Sequence, residues 1–420
     1  MGWPRAAIRA RLHASVIIAT VIVLTGGCAT RSAQVEQAVP VESEASSIPI
    51  DATTTPSMPP FLESDEATSP QLGRALDEGR AARGEIEWVE REEAAASGNV
   101  AAGEYLVTYL ITPADDYYDL EAAQPNFPAH HTTVSPGSAH VAVVVRDAAD
   151  GRMVQGLSVR ARLRSESGDE QQTATLPYGW HPVLNRYGEN MVLPTSPFTL
   201  SVRIAMPMYQ RHDSINGDRF KGNVVASFTH VTILPDSLAA ASQRLARGDS
   251  RTAINLARLE GDAVDRPLVA MLRGADANGA QVRSGDYIVA VLLQPARGYW
   301  DTRGGKLDYN SANSSVGPVA HLDVSIRDAV TGRFLPGLTV RATILNSRKK
   351  EIDTYAMPFM WHPWMNHYGL NVPSPGLGRY TIRVRAEAPT FRRYGSTALR
   401  KFNKPIDVEI RGVRFVATEK

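Results

Sequence analysis

The chain has 420 residues, enough for two or three domains, and its 45 lysines and arginines almost balance its 44 aspartates and glutamates. This near-neutral composition lacks the basic excess that is typical of nucleic-acid-binding proteins, so we exclude nucleic acid as a partner. The single cysteine excludes an internal disulfide and a multi-thiolate metal site. Histidine, methionine and carboxylate side chains remain as candidate metal ligands.

The first 28 residues have the pattern of a secretory signal that ends in a lipidated cysteine. Arginines precede the apolar run Val16 to Leu24, which is too short for a lasting transmembrane helix. The sequence Leu24-Thr-Gly-Gly-Cys28 resembles a bacterial lipoprotein processing site, so we expect an anchor to the lipid bilayer through Cys28. Because Ala29 follows in place of an acidic residue, we expect a cell-envelope location, on the periplasmic side of the outer membrane in a cell with two membranes.

Residues 29–70 are rich in Ser, Thr, Pro, Ala and Glu and contain hardly any aromatic residues. Such a composition cannot bury enough apolar surface to form a core. We therefore predict a disordered tether between the lipid anchor and the first folded domain.

The rest of the chain contains two copies of one unit, which we place at residues 71–235 and 236–420. Trp180-His-Pro matches Trp361-His-Pro at an offset of 181 residues, and Tyr187-Gly matches Tyr368-Gly at the same offset. The pairs Gly151-Arg and Gly332-Arg follow the same register. A repeat of this length indicates two whole domains rather than a solenoid of small units.

Each copy begins with a helical pattern. The first helix is predicted from Leu72 to about Ala95 and the second from about Leu238 to Arg273, with breaks expected near Gly248 and at Pro267.

Short segments rich in β-formers follow in both copies, separated by turns such as Asp150-Gly151 and Thr331-Gly332. The predicted strands lie at residues 105–111, 141–145, 157–163, 287–293, 338–344 and 380–384. The sequence therefore predicts a mainly β protein of two tandem immunoglobulin-like β-sandwiches, each preceded by a helical segment.

The second copy collects metal-binding side chains in one short segment. In an extended chain, Met360 and His362 lie on one face, and His367 follows just beyond Pro363. A thioether and imidazoles suit copper or another late transition metal. The alternative for His362 is a structural role in which it donates to a backbone carbonyl, because the first copy keeps Trp-His-Pro without the methionine.

Several motifs resemble the periplasmic ferrous-iron transport proteins, a family that includes a spirochaete membrane-antigen lipoprotein. They are Met357-Pro followed by His367-Tyr-Gly-Leu-Asn-Val372, the strand Tyr287 to Pro295 with its Gln-Pro end, and Arg211-His-Asp. The resemblance covers most of residues 103–235 and 285–416. It implies an immunoglobulin-like sandwich that binds copper and iron or manganese outside the inner membrane, and that assists iron uptake together with an iron permease.

The resemblance also implies a ligand set. Met360, seven residues before His367, matches the family's methionine and histidine pair, and His212 matches a histidine near the C-terminus. His130 and His131 occupy the segment of the family's His-x-Glu, although no glutamate follows at that spacing. We interpret His140 and His321, which begin paired strands, as structural.

Neither copy alone completes that ligand set. The first copy has Gly179 and Arg186 where the second has Met360 and His367, and the second copy has Tyr394 where the first has His212. We therefore expect an intramolecular pseudo-dimer with one composite site for iron and/or copper, built from Met360, His367 and His212, with His130 or His131.

Two other functional classes were weighed. A pair of degenerate sandwiches would act as a non-metal structural or ligand-binding module of the cell envelope. The chain contains no His-Glu-x-x-His, no Gly-x-Ser-x-Gly and no phosphate-binding glycine loop, so we do not expect an enzyme.

Overall fold

The computed structural model describes residues 60–119, 130–132, 134, 137–247, 250–273, 278–312, 319–394 and 401–415. The predicted signal segment, Cys28 and residues 29–59 of the predicted tether lie outside the described residues. Within the described ranges, the helices are too short or too polar to span a membrane.

The described residues form three helices: α1 at Ser69–Glu92, α2 at Ser237–Arg247 and α3 at Ser250–Arg273. Helix α1 begins at Ser69, three residues before the predicted Leu72, because the side chain of Gln71 accepts a hydrogen bond from the Thr68 N–H (2.8 Å) at its first turn. The predicted break at Pro267 is wrong, since α3 continues through that residue. Val264 and Leu268 on either side of it are buried in a cluster with Trp364, and this packing offsets the missing backbone hydrogen bond.

The first copy contributes twelve strands. They are β1 Ala96–Ala102, β2 Tyr105–Pro113, β3 Tyr117–Asp119, β4 His130–Thr132, β5 Ser138–Asp147, β6 Val159–Ser165, β7 Gln171–Leu176, β8 Tyr178–Trp180, β9 Arg186–Val192, β10 Phe198–Ile204, β11 Gln210–His212 and β12 Val224–Val231.

The second copy contributes another twelve. They are β13 Gly279–Ser284, β14 Tyr287–Pro295, β15 Tyr299–Arg303, β16 Lys306–Asn310, β17 Val319–Asp328, β18 Val340–Leu345, β19 Glu351–Met357, β20 Phe359–Trp361, β21 His367–Pro373, β22 Gly378–Ala386, β23 Arg392–Tyr394 and β24 Ile406–Phe415.

These strands form two sandwiches, each with one eight-stranded and one four-stranded sheet, which confirms the predicted fold class. The eight-stranded sheets have the orders β1-β2-β5-β9-β8-β23-β3-β4 (the first large sheet) and β13-β14-β17-β21-β20-β11-β15-β16 (the second large sheet). The four-stranded sheets are β12-β10-β6-β7 and β19-β18-β22-β24.

The two copies exchange one short strand in each direction. Strand β11 of the first copy lies between β20 and β15 of the second copy, with Arg211 beside Trp361 on one side and Trp300 on the other. Strand β23 of the second copy lies between β8 and β3 of the first copy, with Arg393 beside Trp180. Each large sheet is therefore complete only when both copies are present.

The equivalent tryptophans of the two copies, Trp180 and Trp361, are exchanged as well. Trp361 is buried in the core of the first sandwich, where its ring lies 6.1 Å from Phe220. Trp180 is buried in the core of the second sandwich, 5.3 Å from Phe402. The Trp-His-Pro segment that both copies share thus explains how each copy completes the core of the other.

Arginines fix the same segments. Arg152 donates from Nη2 to the carbonyl oxygens of His362 (3.0 Å) and Pro363 (2.8 Å). In the mirror-image contact, Arg333 donates to the carbonyls of His181 and Val183 at 2.7 and 2.9 Å. The Gly-Arg pairs seen in the sequence are therefore clamps between the copies, with buried charge-assisted hydrogen bonds.

Helix α1 approaches one of these Gly-Arg turns so closely that only glycine fits. A Cβ atom at Gly79 would lie 1.9 Å from the carbonyl oxygen of Asp150, and a Cβ atom at Gly261 of α3 would lie 1.9 Å from that of Thr331. Glycine at these two positions lets the helices lie directly on the clamps.

Candidate metal centre

The exchanged strand β11 brings one histidine of the first copy to two histidines of the second. His212 ends β11, His321 lies on β17 and His367 begins β21. The Nε2 atom of His321 lies 3.1 Å from that of His212 and 3.4 Å from that of His367. Bonds of about 2.0–2.1 Å to a tetrahedral ion would place ligand atoms roughly 3.3–3.4 Å apart, which is close to these two separations. The candidate ligand atoms of the three histidines all lie within 4.8 Å of one another, so together they could hold one metal ion.

The opposite nitrogen of each ring is held by a hydrogen bond. Nδ1 of His212 lies 3.0 Å from Oε2 of Glu66, Nδ1 of His321 lies 2.8 Å from Oδ1 of Asn371, and Nδ1 of His367 lies 3.0 Å from the Met365 carbonyl oxygen. Each partner is an acceptor, so each Nδ1 carries a proton, and Nε2 presents a lone pair whenever the ring is neutral. This is how metal-binding histidines are oriented in proteins.

A buried carboxylate completes the convergence. Oδ1 of Asp323 lies 2.9 Å from Nε2 of His321 and 3.0 Å from Nε2 of His367, while Oδ2 accepts a hydrogen bond from Gln294 (2.9 Å). Oδ1 is inaccessible to solvent and has no hydrogen-bond donor in the described structure. Four acceptor atoms that face one another in a buried space require a cation or proton between them, which is the environment of a metal site.

The Tyr-Gly motif explains how the imidazoles approach so closely. Gly369 pairs with Asp323 across the β17–β21 ladder. A Cβ atom at Gly369 would lie 2.7 Å from Nε2 of His321 and 2.8 Å from Nε2 of His367. Any larger residue would therefore fill the space in which the three rings meet.

Met360 lies next to this cluster in the sheet. It is fully buried, and it pairs with His367 across β20–β21 and with Gln210 of β11. Phe359 and Trp361 pack into hydrophobic cores, so the pleat places Met360 on the opposite face of β20.

His362 is close to the cluster but is oriented differently. Its ring lies 5.4 Å from that of His212, and its Nδ1 accepts a hydrogen bond from the Trp364 backbone N–H (3.3 Å). His181 of the first copy likewise accepts from the Val183 N–H (3.2 Å). The expected structural contact is thus reversed in direction, since His362 accepts rather than donates. Its neutral form carries the proton on Nε2, which leaves no lone pair for a metal in this orientation.

His130 and His131 are not brought to the cluster by the backbone. They lie on β4 at the edge of the first large sheet, paired with Asp119 and Tyr118, whereas the cluster lies on the second large sheet. Their side chains fall outside the described part of the structure.

The equivalent place in the first copy holds an arginine. Arg186 occupies the position of His367, and its guanidinium lies 5.2 Å from the ring of Tyr394, the counterpart of His212. The Tyr394 ring fills the space beside Gly179, where a Cβ atom would lie 2.1 Å away. Ala142 stands in the position of Asp323. Among the described residues, only His212, His321 and His367 form a group able to hold a metal.

His321 is the functional candidate that the sequence interpretation missed. The interpretation assigned it a structural role because His140 occupies the same position in the first copy. The signal was present as His321-Leu-Asp323, a histidine and an acid two residues apart, which places both side chains on one face of a strand.

The electrostatics of the cluster predict proton release on metal binding. Burial lowers the pKa of His212 well below its ordinary value, so this ring is neutral. Burial also opposes a charged His367, but the Asp323 carboxylate outweighs it and raises the pKa of His367 above 6.5. Burial raises the pKa of Glu66 to about 7.

A metal ion must therefore displace a proton from His367. Its positive charge also favours the ionised form of Glu66. We expect the metal affinity to rise steadily from about pH 6 to about pH 8, with one to two protons released per ion. Calorimetric titration in buffers of different ionisation enthalpy measures this release. An affinity that does not change over this range would contradict the arrangement.

Among known protein families, the match found lies in the second copy. Residues 323–415 match the family model described as Fe2+ transport protein. This range includes Asp323, Met360 and His367, whereas His212 and His321 lie outside it. No curated protein matches the chain.

The solved structures that match the chain each align with about one third of it. Uropathogenic E. coli FetP is 21% identical, with a TM-score of 0.26, and the alignment covers 34% of this chain and 97% of FetP. A copper-bound variant of Campylobacter jejuni P19 is 20% identical, with a TM-score of 0.29, and covers 34% of this chain and 98% of P19. The matched residues 323–415 lie in the second sandwich, which also carries most of the motifs that resemble the Fe2+ transport proteins.

Proposed function

We propose that this chain is an extracytoplasmic metal-binding lipoprotein that assists ferrous iron uptake, and copper uptake at the same site, as a partner of an iron permease. The anchor is Cys28 and the location is the periplasmic side of the outer membrane in a cell with two membranes. The family match of the second copy supports the transport role, and the solved structures of FetP and P19 include copper-bound forms.

The observation that carries this proposal is the convergence of three Nε2 atoms and one carboxylate oxygen in a buried space. His212, His321, His367 and Asp323 are each at most 2% exposed. Burying four such groups is costly unless a cation neutralises them and takes their lone pairs. The two copies make one site because only together do they supply all four groups.

The donor set also indicates which ions fit. Three imidazoles with a carboxylate suit Fe2+ and other divalent first-row metals, for which nitrogen and oxygen ligands are common. Met360, adjacent to His367 in the sheet, would add a soft thioether that favours Cu(I). The ion is cargo here, so the site must release it as well as bind it.

Different residues orient the histidine rings and supply the negative charge of the site. Glu66, Asn371 and the Met365 carbonyl hold the rings so that each Nε2 is available. Asp323 supplies negative charge, and its pKa is held well below the ordinary value because His367 and His321 outweigh the effect of burial. The pH dependence predicted above gives acidification as one route to release.

The experiment is a metal titration of the protein lacking residues 1–28, with Fe2+ under anaerobic conditions and with Cu(I). The wild-type protein is expected to bind tightly, and His367→Ala to lose more than about 100-fold in affinity, beyond the cost of removing an outer-shell partner. The matched control is His230→Ala, because His230 is an exposed histidine remote from the cluster in the sheet order. Equal binding by wild type and His367→Ala would remove the proposed site.

A further inference from the structure

Two arginines face each other on the outer surface of the first sandwich without an acidic partner. Arg160 on β6 pairs directly with Arg203 on β10, and both side chains are exposed. The described structure contains no hydrogen bond or ion pair from either guanidinium. Like charges directly opposite in a sheet are destabilising, so this pair has an electrostatic cost that a bound anion would offset.

The second copy has the same arginine pair, but there a carboxylate is built in. Arg341 on β18 pairs with Arg385 on β22, and Arg385 in turn pairs with Asp407 on β24. Nε of Arg385 lies 3.3 Å from Oδ2 of Asp407, and Nε of Arg383 lies 2.6 Å from Oδ1 of the same residue. The second copy thus supplies its own anion.

In the first copy the position of Asp407 is taken by Val225. Val225 on β12 pairs with Arg203 on β10 and is 59% exposed. The outward positions of the four strands of this sheet carry four arginines and no aspartate or glutamate; the arginines are Arg160, Arg162, Arg164 and Arg203. The first copy therefore retains the arginine pair but lacks the internal acid.

The arginine pair lies in a surface pocket with hydroxyl groups. A pocket of about 380 Å³ is lined by Ser158, Arg160, Thr175, Arg203 and Ala205. Thr175 pairs with Arg160 across β6–β7, so its hydroxyl lies beside one guanidinium. In the second copy, the equivalent of Thr175 is Ala356, which pairs with Arg341 and has no hydroxyl. Within the described residues, the Thr175 hydroxyl and the arginine pair without an acid therefore occur together in the first copy only.

We propose that this pocket, which we call the Arg160 pocket, binds a phosphate group. Guanidinium groups bind phosphate through paired, charge-assisted hydrogen bonds, and serine and threonine hydroxyls add neutral donors. The pocket is on the four-stranded sheet, whereas the metal centre is on the second large sheet, so the two sites are separate. The phosphate comes from a free ion or from the headgroup of a phospholipid next to the predicted anchor.

The test is calorimetric titration of the metal-free full chain in nonionic detergent, with inorganic phosphate in one arm and glycerophosphoglycerol, a soluble phospholipid headgroup, in the other. We expect a dissociation constant of about 1 mM or lower for one of them, as two or three charge-assisted hydrogen bonds would give. Tighter binding of the inorganic ion identifies free phosphate as the source, and tighter binding of the diester identifies a lipid headgroup.

The decisive variants differ only in charge. Val225→Asp restores the acid of the second copy and should weaken binding about tenfold or more, whereas Val225→Asn, of the same size, should bind like wild type. Arg160→Gln should also bind weakly, and Arg341→Gln, which changes the already neutralised pair, should not. Thermal unfolding of each variant verifies folding. Equal binding by Val225→Asp and Val225→Asn, or no binding of either probe at millimolar concentration, would overturn the proposal.

Discussion

Replacing His212 by alanine is expected to abolish tight metal binding, although every other residue of the cluster belongs to the second copy or to the segment before α1. Its Nε2 atom lies 3.1 Å from that of His321, and its Nδ1 atom contacts Glu66 at 3.0 Å. The substitution removes one ligand and leaves the buried Glu66 carboxylate without its imidazole partner. We expect the affinity for Fe2+ to fall by more than about 100-fold, beyond the loss caused by removing an outer-shell group alone.

The matched control is His140→Ala, which removes a buried histidine from the corresponding place in the first copy. His140 is inaccessible to solvent, and its Nδ1 contacts Asn190 (3.1 Å) just as Nδ1 of His321 contacts Asn371. This variant should lose stability and keep metal binding. If His212→Ala binds Fe2+ as tightly as His140→Ala, the first copy contributes no ligand and the composite site is wrong.

Trp361→Ala is expected to lower the free energy of unfolding by about 3–5 kcal/mol, as the loss of a large buried aromatic side chain does. Although Trp361 belongs to the second copy in sequence, the loss of stability should appear in the first sandwich. Its ring contacts Phe61 at 5.6 Å and Phe220 at 6.1 Å, and it is buried in the core of the first copy. Removing it opens a cavity where the two copies interlock.

Chemical denaturation measures the size of this effect, and amide hydrogen exchange locates it. Protection should fall in β5 and β9, which line the first core, as well as around β20. Trp180→Ala is the mirror-image variant and should destabilise the second core by a similar amount. A loss below about 1 kcal/mol for Trp361→Ala would mean that the exchanged packing contributes little, because surface substitutions reach only about 0.5 kcal/mol.

Much of the fold follows from local patterns. The strand predicted at residues 105–111 lies within β2, and the one at residues 287–293 lies within β14, because β-branched and aromatic residues are concentrated in these runs. Helix α3 shows where local rules fail, since packing against α1 and Trp364 carries it through Pro267. Tertiary contacts override a local helix breaker there.

The strand exchange could not be predicted from the sequence. Strands β11 and β23 each have three residues, too short to show an alternating pattern, and each pairs with strands far away along the chain. His212 has no histidine counterpart in the second copy, and His367 has none in the first. This complementary pattern suggested that the copies share one site. The structure adds the physical means, since β11 carries His212 directly beside β20.

Sequence analysis identified some of the candidate metal ligands and missed one. His367 and His212 were proposed because they match motifs of the family that the sequence resembles, and each has no histidine at the equivalent position of the other copy. His321 was missed because it is present in both, and only the neighbouring Asp323, which replaces Ala142, distinguishes its environment. A shared residue can therefore have a structural role in one copy and a functional environment in the other.

The shared Trp-His-Pro segment now has a physical explanation. Its tryptophan fills the core of the other copy, its histidine accepts a backbone N–H, and its carbonyls accept hydrogen bonds from an arginine of the other copy. The segment therefore holds the two copies together, which is the condition for one site built from both.

The number of ions bound per chain tests that central claim most directly. Quantitative metal analysis of the protein saturated with Fe2+ under anaerobic conditions, after loosely bound metal is removed, should give one ion per chain, because Arg186 and Tyr394 occupy the equivalent place in the first copy. Two ions per chain would show that each copy binds metal independently, and none would show that the buried histidine cluster is not a metal site.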